Sequence, residues 1–106
     1  MKYKRVIKNR KEVSFEEAEK KFSWLKEAEF ENAEIDISYS YLVWFNGVWL
    51  NGIWVDGLWK NGEWHNGMWS NGIWRNGIWL NGTMWSNVKQ EYCKVEHIGN
   101  VFRELK

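Results

Sequence analysis

The chain has 106 residues, ten of them tryptophan, with no proline, one cysteine and a formal net charge of +1. That length suits one domain with a small core, and the near-neutral charge excludes both a dedicated DNA-wrapping protein and an acidic mimic of DNA. The lone Cys93 rules out an intrachain disulfide, no apolar run reaches membrane-spanning length, and the start MKYKRVIKNRK has no signal-like apolar stretch, so a soluble cytoplasmic protein is expected.

Residues 1–32 read as a basic strand followed by an amphipathic helix. Lys2, Lys4, Arg5, Lys8, Arg10 and Lys11 face the single acid Glu12, with Val6 and Ile7 available for a short strand. Ser14 and Glu17 have capping-box spacing, and Phe15, Ala18, Phe22 and Leu25 follow as one apolar stripe, predicting a helix from Ser14 to about Phe30. From Ala33 the pattern becomes extended. Two degenerate entry repeats keep an aromatic in register at Tyr39 and Trp44.

A tryptophan then falls at every fifth position: Trp44, Trp49, Trp54, Trp59, Trp64, Trp69, Trp74 and Trp79. Each from Trp49 onward is preceded, two positions earlier, by a glycine that follows Asn or Asp: Gly47, Gly52, Gly57, Gly62, Gly67, Gly72 and Gly77, with Gly82 ending the run. A period of five is neither helical nor a simple strand alternation. The chain must turn a corner every five residues, and Asn-Gly supplies it because glycine takes positive φ freely and asparagine tolerates it. Stacked corners make a β-solenoid over residues 33–87. Thr83-Met84-Trp85 inserts one residue and ends the array, and residues 88–106 read as short strands or a cap.

Within each side the tryptophan and its neighbours face opposite ways. Neighbours turned inward would carry Lys60, Glu63, His65 and Arg75 into a narrow core, each costing several kcal/mol unless paired. Tryptophan is therefore expected inside. The residues now resemble the pentapeptide-repeat family, whose four-sided β-helices use five residues to a side and about twenty to a coil. The resemblance covers roughly residues 36–87 and implies a mainly β fold: about two coils, with the amino-terminal strand and helix packed on them or capping them. Similar Asn-Gly-x-aromatic arrays occur in phage and bacterial proteins, which implies a phage origin and a host-cytoplasm location. With twenty residues to a coil, Val48 lies over Met68 and Ile53 over Ile73. Such apolar faces are either covered by the termini or open to a partner.

His65 beside Glu63, and Cys93 four before His97, form no recognisable metal or nucleophile motif. A non-enzyme with no cofactor is expected. The leading expectation is a structural or adaptor protein that binds another protein through a solenoid face or end, with Ile53, Val55, Ile73 and Trp85 as candidate contacts. The carboxy-terminal end is expected to close by self-association around Trp85, most simply as a two-fold dimer. The first alternative is nucleic-acid binding by Lys2, Lys4, Arg5, Lys8, Arg10 and Lys11 together with aromatics. The second is a carbohydrate-binding tryptophan platform.

Overall fold

A computed structural model of the chain describes residues 4–105. Lys2 of the basic cluster lies outside these residues. The protein is mainly β, with one α-helix and mixed parallel and antiparallel sheets. In chain order come β1 (Lys4–Lys8), β2 (Lys11–Val13), α1 (Phe15–Lys21), a 3₁₀ turn (Ser23–Glu27), β3 (Glu29–Asp36) and the long bent β4 (Val43–Asn51). Six two-residue strands follow: β5 (Ile53–Trp54), β6 (Leu58–Trp59), β7 (Glu63–Trp64), β8 (Met68–Trp69), β9 (Ile73–Trp74) and β10 (Ile78–Trp79). The chain ends with β11 (Thr83–Ser86), β12 (Glu91–Ile98) and β13 (Val101–Glu104). Among the described residues, no helix is long and apolar enough to cross a membrane.

Pairing within the repeat corrects the expected twenty-residue register. Trp44 pairs in parallel with Trp59, Trp49 with Trp64, Trp54 with Trp69, Trp59 with Trp74 and Trp64 with Trp79. The offset is fifteen residues, so three pentads rather than four bring the chain back beside itself. The ladder is regular: Ile73 N–H donates to Gly57 C=O at 2.9 Å and Arg75 N–H to Trp59 C=O at 2.8 Å, and each later pentad repeats the pattern.

The size of the indole explains the number three. In the first layer Trp44, Trp49 and Trp54 meet one another edge to face, with centroids 5.8, 5.7 and 6.4 Å apart. Three rings thus close a triangle in which each touches both others, whereas four at the corners of a square would leave a gap along the axis. Successive layers stack ring on ring. Trp44 over Trp59, Trp49 over Trp64 and Trp54 over Trp69 lie 4.9 to 5.2 Å apart and within 6° of parallel, which matches the spacing of neighbouring strands. Trp44, Trp49, Trp54, Trp59 and Trp64 are fully buried, while Trp69 and Trp79 keep a few per cent of their surface exposed and Trp74 is half-buried.

The corner glycines from Gly47 to Gly82 have φ between +119° and +136°. At Gly67 a Cβ would also sit 2.4 Å from the carbonyl oxygen of Gly52, one circuit earlier. Glycine is therefore required twice over, by backbone angle and by the close approach of the next layer.

Both ends of the ring stack are covered from within the chain. At the amino-terminal end β3 pairs antiparallel with β4, and Phe30 stacks on Trp49 at 5.9 Å while meeting Trp44 edge-on. Trp24 from the 3₁₀ turn packs edge-on against Trp54 at 5.3 Å. The helix is shorter than expected: α1 stops at Lys21, and Phe30 belongs to a strand, where a bulge with Asn32 at φ +54° brings Phe30 to the same buried side as Ala33 and Ile35. Ser14 is the N-cap residue, but its side chain makes no capping bond. Tyr39 lacks a glycine corner to turn it inward; it is half exposed and stacks on Tyr41 outside the core.

At the other end Met84, not Trp85, occupies the ring column, paired with Trp69. Hairpin β12–β13 folds back over the last layer, placing Phe102 edge-on to Trp74 and Trp79 at 5.4 and 5.0 Å. Trp79 Nε1–H donates to the Val95 carbonyl at 3.3 Å. The indole N–H groups of Trp44, Trp49, Trp54, Trp59, Trp64 and Trp74 are buried without an acceptor. The end expected to close by self-association around Trp85 is thus covered by the chain's own hairpin.

Candidate functional site

The fifteen-residue offset sorts the outward side chains into three faces. The first carries Val43, Leu58 and Ile73 before the rings, and Phe45, Lys60 and Arg75 after them. The second carries Val48, Glu63 and Ile78, then Leu50, His65 and Leu80. The third carries Ile53, Met68 and Thr83, then Val55, Ser70 and Trp85.

Of the expected contact residues, Ile53, Val55 and Trp85 therefore share the third face, whereas Ile73 stands on the first. Ile73 pairs with Leu58 rather than lying over Ile53. Ile53, Val55 and Ile73 are 47%, 41% and 59% exposed; Trp85 is half-buried, edge-on to Tyr92 at 5.1 Å.

The basic cluster does not form a free track. Lys4 Nζ lies over the rings of Phe15 and Phe30 at 4.4 and 5.2 Å, and Arg5 reaches Glu12 at 3.3 Å and Glu34 at 3.9 Å. Lys8 and Lys11 are paired across the β1–β2 hairpin, and Arg10 sits in its turn with φ +67°. Two of the five described cations are already engaged by partners of their own, which weakens a phosphate-binding role.

Ile53 and Val55 line a cavity of about 240 Å³ with Trp24, Glu27 and Gly52, and two larger surfaces gather repeat residues from more than one circuit. On the first face a cavity of about 380 Å³ is lined by Tyr41, Asp56, Gly57, Leu58, Gly72, Ile73 and Arg75. Tyr39 stacks on Tyr41 beside it, and Lys60 Nζ lies 4.9 Å from the Phe45 ring. Asp56 and Arg75 supply one charge of each sign. Asp56 Oδ1 also accepts from the Gly57 N–H at 2.9 Å, which fixes the carboxylate at its corner.

The second surface lies where the repeat ends. Cavities of about 330 and 560 Å³ share Ser70, Asn71, Trp85 and Asn87 in their linings. Neither surface was visible as a motif, because each gathers residues one circuit or more apart.

The chain matches no family model, no curated protein and no solved structure.

His65 Nε2 and Glu63 Oε1 are 3.1 Å apart on the exposed second face. Cys93 and His97 lie on one strand, about 13 Å apart at the usual rise, and His97 stacks on Phe102 instead. Burial, followed by the charge of Glu104, pushes the Cys93 thiol up from its ordinary value, away from the reactive thiolate. Among the described residues, no group of three His, Cys, Asp or Glu side chains is placed to hold a metal ion.

Proposed function

We propose that the protein is a non-catalytic structural module: a short three-sided β-solenoid whose first face holds protein chains together, beginning with a second copy of itself. The fifteen-residue pairing and the layered indole triangles support the solenoid. Its coil would be one pentad shorter than that of the pentapeptide-repeat family.

The first-face cavity carries the binding proposal. Its lining combines the apolar side chains of Tyr41, Leu58 and Ile73 with one carboxylate, Asp56, and one guanidinium, Arg75. A patch with an apolar centre and one charge of each sign is self-complementary about a two-fold axis, so that Asp56 of each copy meets Arg75 of the other. Burial of Ile73 and Tyr41 supplies the affinity, and the charge pairs set the orientation.

Light scattering across a concentration series tests it. A dimer at about 100 µM, converted to a monomer by Ile73→Lys with native circular dichroism retained, is the expected result. A monomer throughout that range overturns the first face as a self-association surface.

A further inference from the structure

The end of the repeat holds a different kind of surface, and we infer that it is a binding site for a neutral carbohydrate centred on Trp85. Trp85 borders both terminal cavities, and the protein fixes its ring from two directions. Its Nε1–H donates to Asn87 Oδ1 at 3.0 Å, and it forms a T-shaped pair at 5.1 Å with Tyr92, whose hydroxyl is 2.6 Å from Ser70 Oγ. An indole restrained in this way at a solvent-facing cavity pays little ordering entropy on binding.

The chemistry around the ring selects the ligand. Asn87 has its carbonyl engaged by the indole, so its two amide N–H donors remain for a guest, and Asn71 and Asn100 bring further amides to the lining. Among the described residues, no carboxylate lines either cavity, and Arg75, which also lines the first-face cavity, is the one fully charged side chain. A lipid or other apolar guest would leave these amides unpaired at a cost. A nucleic-acid strand needs a run of cations, and the basic strand β1 pairs with β2 and β3, two strands beyond β4 where the repeat begins. A pyranose suits both halves of the site. Its face of weakly positive C–H groups matches the negative face of the indole, and its hydroxyls donate to and accept from neutral amides.

The site forms only because the chain leaves the repeat here. Met84 fills the last ring position, which turns Trp85 outward into the column of Val55 and Ser70. Asn87, where the next corner would fall, enters a turn instead.

The test follows the Trp85 indole resonance in ¹H–¹⁵N spectra of the full chain, assigned by its loss in Trp85→Phe. Cellohexaose, maltohexaose, chitohexaose and a fifteen-base oligothymidylate are each titrated to about 10 mM. We expect a saturable shift with at least one oligosaccharide. Read in the variants from the side-chain amide resonances of Asn71 and Asn100, which line the cavity, binding should weaken at least about tenfold in Trp85→Ala and in Asn87→Ala, with dimerisation through the first face unaffected. Asn87→Ala retains the indole and its Tyr92 contact while removing the Nε1–H acceptor, so it reports on the site even if Trp85→Ala lowers stability. No shift with any of the three sugars, a shift with the oligonucleotide alone, or wild-type affinity in both alanine variants overturns the inference.

Discussion

Replacing Trp64 with alanine removes a ring from the middle of the core. The indole is fully buried, stacked between Trp49 at 5.2 Å and Trp79 at 4.9 Å and edge-on to Trp59 and Trp69. Losing roughly 200 Å² of burial at about 25 cal/mol per Å² costs about 5 kcal/mol. The Trp64 N–H has no acceptor, so deleting it returns about 1–3 kcal/mol. The void works the other way, because ladder hydrogen bonds above and below keep the layers from collapsing into it. The net expectation is a loss of about 3–5 kcal/mol. Trp64→Phe keeps a ring in the column and removes only the unpaired N–H and one ring's width, for about 1–2 kcal/mol. Trp85→Ala, at the half-buried rim, should cost about 1 kcal/mol or less. Urea denaturation followed by far-ultraviolet circular dichroism gives the midpoint and slope for each. Equal losses at positions 64 and 85, or less than about 1 kcal/mol for Trp64→Ala, would refute the stacked-core account.

Gly67→Ala combines a forbidden φ with a Cβ 2.4 Å from a backbone oxygen and should cost more than about 3 kcal/mol. Gly99→Ala has φ +65° with nothing within 4 Å and should cost only about 1–2 kcal/mol; similar melting temperatures for the two variants would contradict the corner assignment. The Cys93 thiol, held above its usual value chiefly by burial, should react with Ellman's reagent more slowly than free cysteine at pH 7.5, with a rate that rises only at distinctly alkaline pH. A rate equal to that of free cysteine would mean the thiol is not shielded. In a first-face dimer, exchanging the rim charges by Asp56→Arg alone should weaken self-association, and adding Arg75→Asp should restore it; sedimentation velocity without rescue in the double variant would show that the two charges do not meet.

The five-residue side is written in the chain, because glycine recurs where the backbone must take positive φ and charged neighbours leave tryptophan as the cheaper inward residue. The number of sides is not. A period of five fits three or four pentads to a circuit equally well, and the choice falls to whether three indoles can touch one another, which depends on packing between segments fifteen residues apart. The same limit explains the helix boundary. Phe30 continues the apolar spacing of Phe22 and Leu25 and stands out of step with Ala33 and Ile35, and only pairing with β4 and the bulge at Asn32 place it on the buried side of a strand. Met84 stands five residues after Trp79, so its place in the ring column was legible in the count, while the displaced Trp85 drew attention instead. The Trp85 surface could not be read locally, since Ser70, Asn87 and Tyr92 meet only once the chain has turned back on itself.

Disulfide trapping measures the circuit length most directly. In a Cys93→Ser background, Lys60→Cys with Arg75→Cys places two outward thiols on adjacent parallel strands, since their neighbours Trp59 and Trp74 are paired; strand spacing there lies within the reach of a disulfide. Val55→Cys with Arg75→Cys joins positions twenty residues apart on different faces. The account predicts efficient oxidation of the first pair, with native circular dichroism, and none of the second. Crosslinking of the twenty-residue pair in preference to the fifteen-residue pair would contradict it.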